Sequence, residues 1–164
     1  MLKRCLIAAI VFSASVFSSA PTAQSAEEMP AQNAVYFEFL GNGLVYTVNY
    51  DRMLTNHAGL RVGIGVISLE HQSGEWLDLG GTYYPIVIMV NYLIGNGPRR
   101  LELGVGVFSL YTSRNTEYFL TGTLGFRYQP RTSGMVFRIG FTPFYAEKSL
   151  FGWGGISIGY AFRD

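Results

Sequence analysis

The chain has 164 residues, with 12 Lys and Arg against 11 Asp and Glu and a single cysteine. Charged residues make up 14%, against about 25% in an ordinary soluble domain, while aromatics reach 15% and glycines number 20. Near-neutral charge without a basic run leaves no electrostatic footprint for nucleic acid, and the lone Cys5 excludes a disulfide framework or a thiolate metal site.

Residues 1–26 have the layout of a cleaved secretory signal: Lys3 and Arg4, an apolar stretch over 5–17, then small residues ending near Ala26. Cleavage after Ala20, Ser25 or Ala26 fits the pattern. The last leaves Glu27, Glu28 and Pro30 as an exposed start, so residues 27–164 are expected to form one domain. The apolar run is shorter than the ~20 residues of a spanning helix. Cys5 follows Leu2, Lys3 and Arg4 rather than the small residues of a lipidation box. No later stretch holds the roughly 18 consecutive apolar residues of a membrane helix, so a membrane-embedded form of this chain would have to use strands.

Eight segments with a period of two follow, at 34–40, 44–53, 59–67, 82–94, 100–111, 118–129, 135–145 and 152–162, and none reads as a helix. In the first three, Val35, Phe37 and Phe39 alternate with Glu38; Tyr46, Val48 and Tyr50 with Thr47, Asn49 and Asp51; Leu60, Val62 and Ile64 with Arg61 and Gly63. The later segments alternate most clearly, as in Leu101, Leu103 and Val105 against Glu102, Gly104 and Gly106, or Ile156, Ile158 and Tyr160 against Ser157, Gly159 and Ala161. A soluble barrel would show its polar face to water, and such a face is normally rich in Lys and Glu. Here the polar face is mostly Gly, Thr, Asn and Ser, which suits the crowded interior of a narrow barrel. Aromatics gather near segment ends, at Trp76, Tyr83, Tyr84, Tyr111, Tyr118, Tyr145, Phe151 and Trp153, as an interfacial girdle requires. Lipid offers no partner for a sheet edge, so the strands must close. The predicted fold is all-β: an eight-stranded antiparallel up-and-down transmembrane barrel.

Charges inside a narrow lumen must be paired. Centring the turn between the fifth and sixth segments on Arg114 and Asn115 sets Glu102 directly opposite Arg127, and the turn between the second and third sets Asp51 opposite Arg61. Arg138 then lies beside Arg127, so Glu102 is expected to serve both guanidinium groups. The result is a plugged barrel, with the ions in a structural role.

With these segments in view, the chain resembles the small eight-stranded outer-membrane barrels, the class of the OmpA transmembrane domain, OmpX and OmpW. It resembles more closely an uncharacterised family of predicted outer-membrane proteins of Bacteroidetes-type bacteria. The matching stretches include Leu40-Gly41-Asn42-Gly43, Asn49-Tyr50-Asp51-Arg52, Val90-Asn91-Tyr92-Leu93, the run from Thr121 to Pro130, Arg138-Ile139-Gly140-Phe141-Thr142-Pro143 and Gly159-Tyr160-Ala161-Phe162. The resemblance implies fold and location and carries no assigned chemistry. The last segment is similar to the assembly signal of such barrels, with Tyr160 and Phe162 as its alternate aromatics. Ser157 stands where a Gly is usual, and Arg163 and Asp164 follow the last aromatic.

Chemistry is sparse. Gly63-Ile64-Gly65 and Gly104-Val105-Gly106 lie within strands and lack the following helix of a phosphate loop. His71, Ser73 and Glu75 would project the same way from an extended segment, with Ser73 as nucleophile and His71 as base in a lipid A-modifying enzyme. A solvated loop explains the same three residues. His57 falls in a turn, which leaves no two-His metal site. An even strand count puts both termini in the periplasm, with turns at 55–56, 95–98 and 130–133. Loops at 68–81, 112–117 and 146–150 then face outward, with residues 41–43 as a tight external Asn-Gly hairpin. The sequence thus reads as a non-enzymatic outer-membrane barrel without cofactor, in contact with membrane lipid and the barrel-assembly machinery. A narrow channel or apolar-ligand barrel is one alternative, and a lipid A-modifying enzyme is the other.

Overall fold

The computed structural model describes residues 31–69, 81–112, 115–146 and 149–163. The signal-like region 1–26, Trp76 and the triplet His71, Ser73 and Glu75 lie outside the described residues.

Among the described residues nine strands are formed: β1 (Asn33–Leu40), β2 (Tyr46–Met53), β3 (Ala58–Ile64), β4 (Ile67–Leu69), β5 (Gly81–Ile94), β6 (Arg99–Tyr111), β7 (Thr116–Tyr128), β8 (Gly134–Ala146) and β9 (Ser149–Phe162). All pairings are antiparallel. β3 and β4 both pair with β5 and form one interrupted stave, so nine strands make eight staves. β1 meets β9 from Asn33 opposite Phe162 to Leu40 opposite Gly155, which closes an up-and-down barrel.

The interruption between β3 and β4 has a chemical cause. Gly65 N–H donates to Pro85 O at 2.9 Å, but the proline nitrogen has no hydrogen to return, so the ladder lapses there. A second proline does the same between β7 and β8. Thr121 pairs with Phe144 and Leu124 with Phe141, but the ladder is unpaired at the positions between, where Pro143 faces Gly122.

The two sides of the wall sort as the alternation predicts. Val35, Phe37, Leu60, Val90, Leu101, Val105, Leu124, Ile139, Ile156 and Tyr160 point outward and are exposed, whereas Glu38, Thr47, Asn49, Asp51, Arg61, Glu102, Arg127 and Arg138 are buried inside. The interior is layered. Ala34, Tyr36, Val136 and Ala161 pack near the start of β1 and the end of β9, the charged residues occupy the middle, and Val87, Met89, Phe108 and Phe144 fill the opposite end against Leu44, Leu110, Phe119 and Trp153.

Two expectations are corrected. The turn at Gly41–Gly43 is not a tight external Asn-Gly hairpin: it is a 3-10 turn with all three residues buried, entered and left through Leu40 and Leu44 at φ 57° and 70°. Such left-handed angles at two leucines are uncommon, and they turn the segment back into the barrel mouth. Trp153 does not belong to an outer girdle. Its ring packs on Phe144 with centroids 4.7 Å apart, and its Nε1 donates to Gly41 O at 2.9 Å, which pins the folded-in turn.

Candidate functional site in the barrel interior

One interior row runs around half of the barrel: Glu38 faces Ser157, Ser157 faces Arg138, Arg138 faces Arg127, and Arg127 faces Arg100. Three arginines on adjacent strands would repel one another, so each is held by acceptors, with Glu102 shared between Arg127 and Arg138. Arg100 turns toward the end of the barrel, where its Nε donates to Gly97 O at 2.7 Å and its Nη1 donates to Asn56 O. Arg127 reaches across to Asp51 on β2 at 2.6 Å and to Glu102 at 3.3 Å. Arg138 sets Nε and Nη2 on the two oxygens of Glu102 at 2.8 and 2.9 Å and donates from Nη1 to the Tyr36 hydroxyl at 2.7 Å.

Across the lumen Arg61 ion-pairs with Glu38, donates from Nε to Asn49 Oδ1 at 2.9 Å and from Nη1 to Asn42 Oδ1 at 3.0 Å. The Tyr36 ring sits between two cations, with the Arg138 and Arg61 guanidinium carbons 4.7 and 5.6 Å from its centroid. Glu38, Asp51 and Glu102 thus balance Arg61, Arg127 and Arg138 within a single buried network. Only a void of about 10 Å³ remains beside Glu38, Glu102, Arg138 and Ser157, at the lower limit for one water molecule.

The pairs expected from the sequence are partly rearranged. Asp51 and Arg61 are cross-strand neighbours, yet Asp51 bonds to Arg127 and Arg61 to Glu38. Glu102 is not opposite Arg127: Gly125 takes that place, and Arg100 faces Arg127. The loop between β6 and β7 is closed by Thr112 N–H on Asn115 O at 2.9 Å, which moves the pairing by two residues. A two-residue slip keeps every side chain on its own face, so Glu102 still reaches both Arg127 and Arg138.

Asn42 was outside the sequence-based site and proves central to it. Its amide nitrogen donates to Thr121 Oγ1 at 2.8 Å and to Gly122 O at 2.9 Å, and its oxygen accepts from Arg61 and from Thr123 Oγ1. The Gly122 carbonyl is the group that a residue other than proline at 143 would have served. His57 lies in the turn between β2 and β3, with its ring 5.8 Å from that of Tyr92 and Nδ1 2.9 Å from Leu93 O. Tyr160 and Phe162 both face outward on the last strand.

The arrangement is suited to holding the wall together. Each interior ion named above is engaged with a counter-ion or a carbonyl, and the inward turn and the aromatic layer lie over the network. A scan against protein-family models, a search of curated proteins and a search of solved structures each returned no match.

Proposed function

We propose that this chain is an integral, non-enzymatic β-barrel protein of the bacterial outer membrane, with a sealed polar interior and a structural or surface-interaction role. The observation that carries this reading is the outward face of a closed cylinder. Val48, Leu60, Val90, Leu103, Leu124, Ile139 and Ile158 stand exposed on successive staves, forming a continuous apolar band far larger than the isolated patches of soluble monomers. Interior ions and exterior hydrocarbon are the reverse of what water selects and the arrangement that lipid selects. On this reading the termini and the turns at 54–57, 95–98 and 129–133 share the periplasmic end, and the assembly machinery meets Tyr160 and Phe162 on the outer face of the closing strand.

Fractionation of cells producing the full chain, followed by gel mobility with and without boiling, tests the reading. The protein is expected in the outer-membrane fraction, with an unboiled band that migrates apart from the boiled one. Recovery as a freely soluble monomer with no heat-dependent shift would refute it.

A further inference from the structure

The wall of the barrel is not uniform. At Gly122 and Pro143 the ladder between β7 and β8 lapses, and on the outside of that lapse lies a groove of about 200 Å³. Outward side chains Val105, Leu120, Tyr145 and Leu150 line it, and Thr121 and Phe144 border it where the strands part. Those two residues belong to the interior: Thr121 is buried on the luminal face, and Phe144 is part of the aromatic layer with Phe108 and Trp153.

Polar demand in the groove is already met from the lumen. Asn42 donates to the Gly122 carbonyl, and Thr121 Oγ1 donates to the Pro143 carbonyl at 3.1 Å. What the groove offers an occupant is almost wholly carbon. Among the lining side chains only Thr121 and Tyr145 carry a hydroxyl, and Thr121 spends its own on the Pro143 carbonyl, so a phosphate, a sugar headgroup or a water would find too few partners to stay. A flexible hydrocarbon chain would find dispersion contacts on every side.

We propose that the Gly122–Pro143 notch is a binding site for one acyl chain of a membrane lipid, inserted from the outer face until it touches Thr121 and Phe144. This rests on the membrane reading above, since it is the surrounding bilayer that supplies the chain. Both residues at the notch are suited to it. Gly122 places no side chain over the groove, and a Cβ there would stand 3.1 Å from the Pro143 ring. Pro143 withholds the N–H that would knit the strands together.

The experiment is nuclear Overhauser transfer from lipid chain methylenes to methyl- and ring-labelled protein in phosphatidylcholine nanodiscs. Transfer to the Thr121 methyl and the Phe144 ring is expected at an intensity comparable to that at Leu120, with none at the buried luminal Val136. In Pro143→Ala, which restores the missing N–H, transfer to Thr121 is expected to fall at least fivefold while that at Leu120 is unchanged. Thr121 and Phe144 as silent as Val136 in the parent protein would overturn the proposal while leaving the membrane reading intact. Silence at Leu120 and Val105 as well would overturn both. Transfer at Thr121 that survives Pro143→Ala undiminished would remove the notch from the explanation, and protein-to-protein transfer in a mixed-label sample would assign the groove to a second copy.

Discussion

Arg138 grips Glu102 through both Nε and Nη2, at 2.8 and 2.9 Å, while the same carboxylate receives Arg127 from the neighbouring strand at 3.3 Å. Glu102 therefore holds β6, β7 and β8 together from inside. Removing one member of a buried ion cluster leaves its partners charged and uncompensated, at a cost of about 3–5 kcal/mol. Glu102→Gln is expected to destabilise the folded barrel by that amount in urea titrations from lipid vesicles. In an Arg138→Met background the same substitution should cost clearly less, because one of the two stranded cations is gone. Equal costs in the two backgrounds would mean that the pair is not coupled.

How far this was legible in the sequence depends on the distance over which each feature acts. Which face a residue occupies is a local property. It follows from parity along one strand, so Glu102, Arg127, Arg138, Asp51 and Arg61 are placed inside from alternation alone. Partner choice is not local. Arg61 turns from its neighbour Asp51 to Glu38 because Arg127, from across the lumen, takes Asp51, and no hairpin rule contains that competition. In β5 alternation carries little information, because Val87 and Met89 inside match Ile88 and Val90 outside in character. The inward turn was illegible for a different reason: Gly41-Asn42-Gly43 carries the residues of a simple hairpin, and only the interior partners of Asn42 and the Trp153 donor draw it inward.

That turn makes its own prediction. Asn42 joins β3, through Arg61, to β7, through Thr121, Gly122 and Thr123. Asn42→Ala leaves the Gly122 carbonyl and an Arg61 N–H without those partners, and unmade buried bonds of this kind cost about 1–3 kcal/mol each. A loss of about 2–4 kcal/mol is expected in the same urea titrations. Planar-bilayer recordings add a second readout: the parent protein should be silent, since turn and ion network together fill the lumen. Steady ionic conductance by the parent protein would contradict the sealed interior.

Closure of the barrel depends on a glycine meeting an aromatic. Gly159 on β9 lies directly opposite Tyr36 on β1, and a Cβ at 159 would overlap Val35 O and the Cβ of Tyr36. The clash involves backbone and cannot be relieved by rotating a side chain. Gly159→Val is therefore expected to prevent the first and last strands from zipping, with loss of the heat-modifiable form on gels. Ala161→Gly, two residues away on the same face, removes only a methyl and should retain that form. Survival of the compact band in Gly159→Val would show that the seam tolerates a side chain that the geometry forbids.

The outward face provides a test whose sign depends on the solvent. Val90 on β5 is 55% exposed and pairs with Leu60 on one side and Val105 on the other, so it lies within the apolar band. In water, Val90→Arg would place a charge where water already is and would change stability little, while improving solubility. In a bilayer the guanidinium would have to be drawn into hydrocarbon, at a cost of about 2–4 kcal/mol near the midplane. The control is Val90→Ala, which trims the same side chain without adding a charge and should have a much smaller effect in lipid. Unfolding midpoints in vesicles should therefore drop sharply for Val90→Arg and far less for Val90→Ala. A neutral Val90→Arg would mean that this band faces water after all.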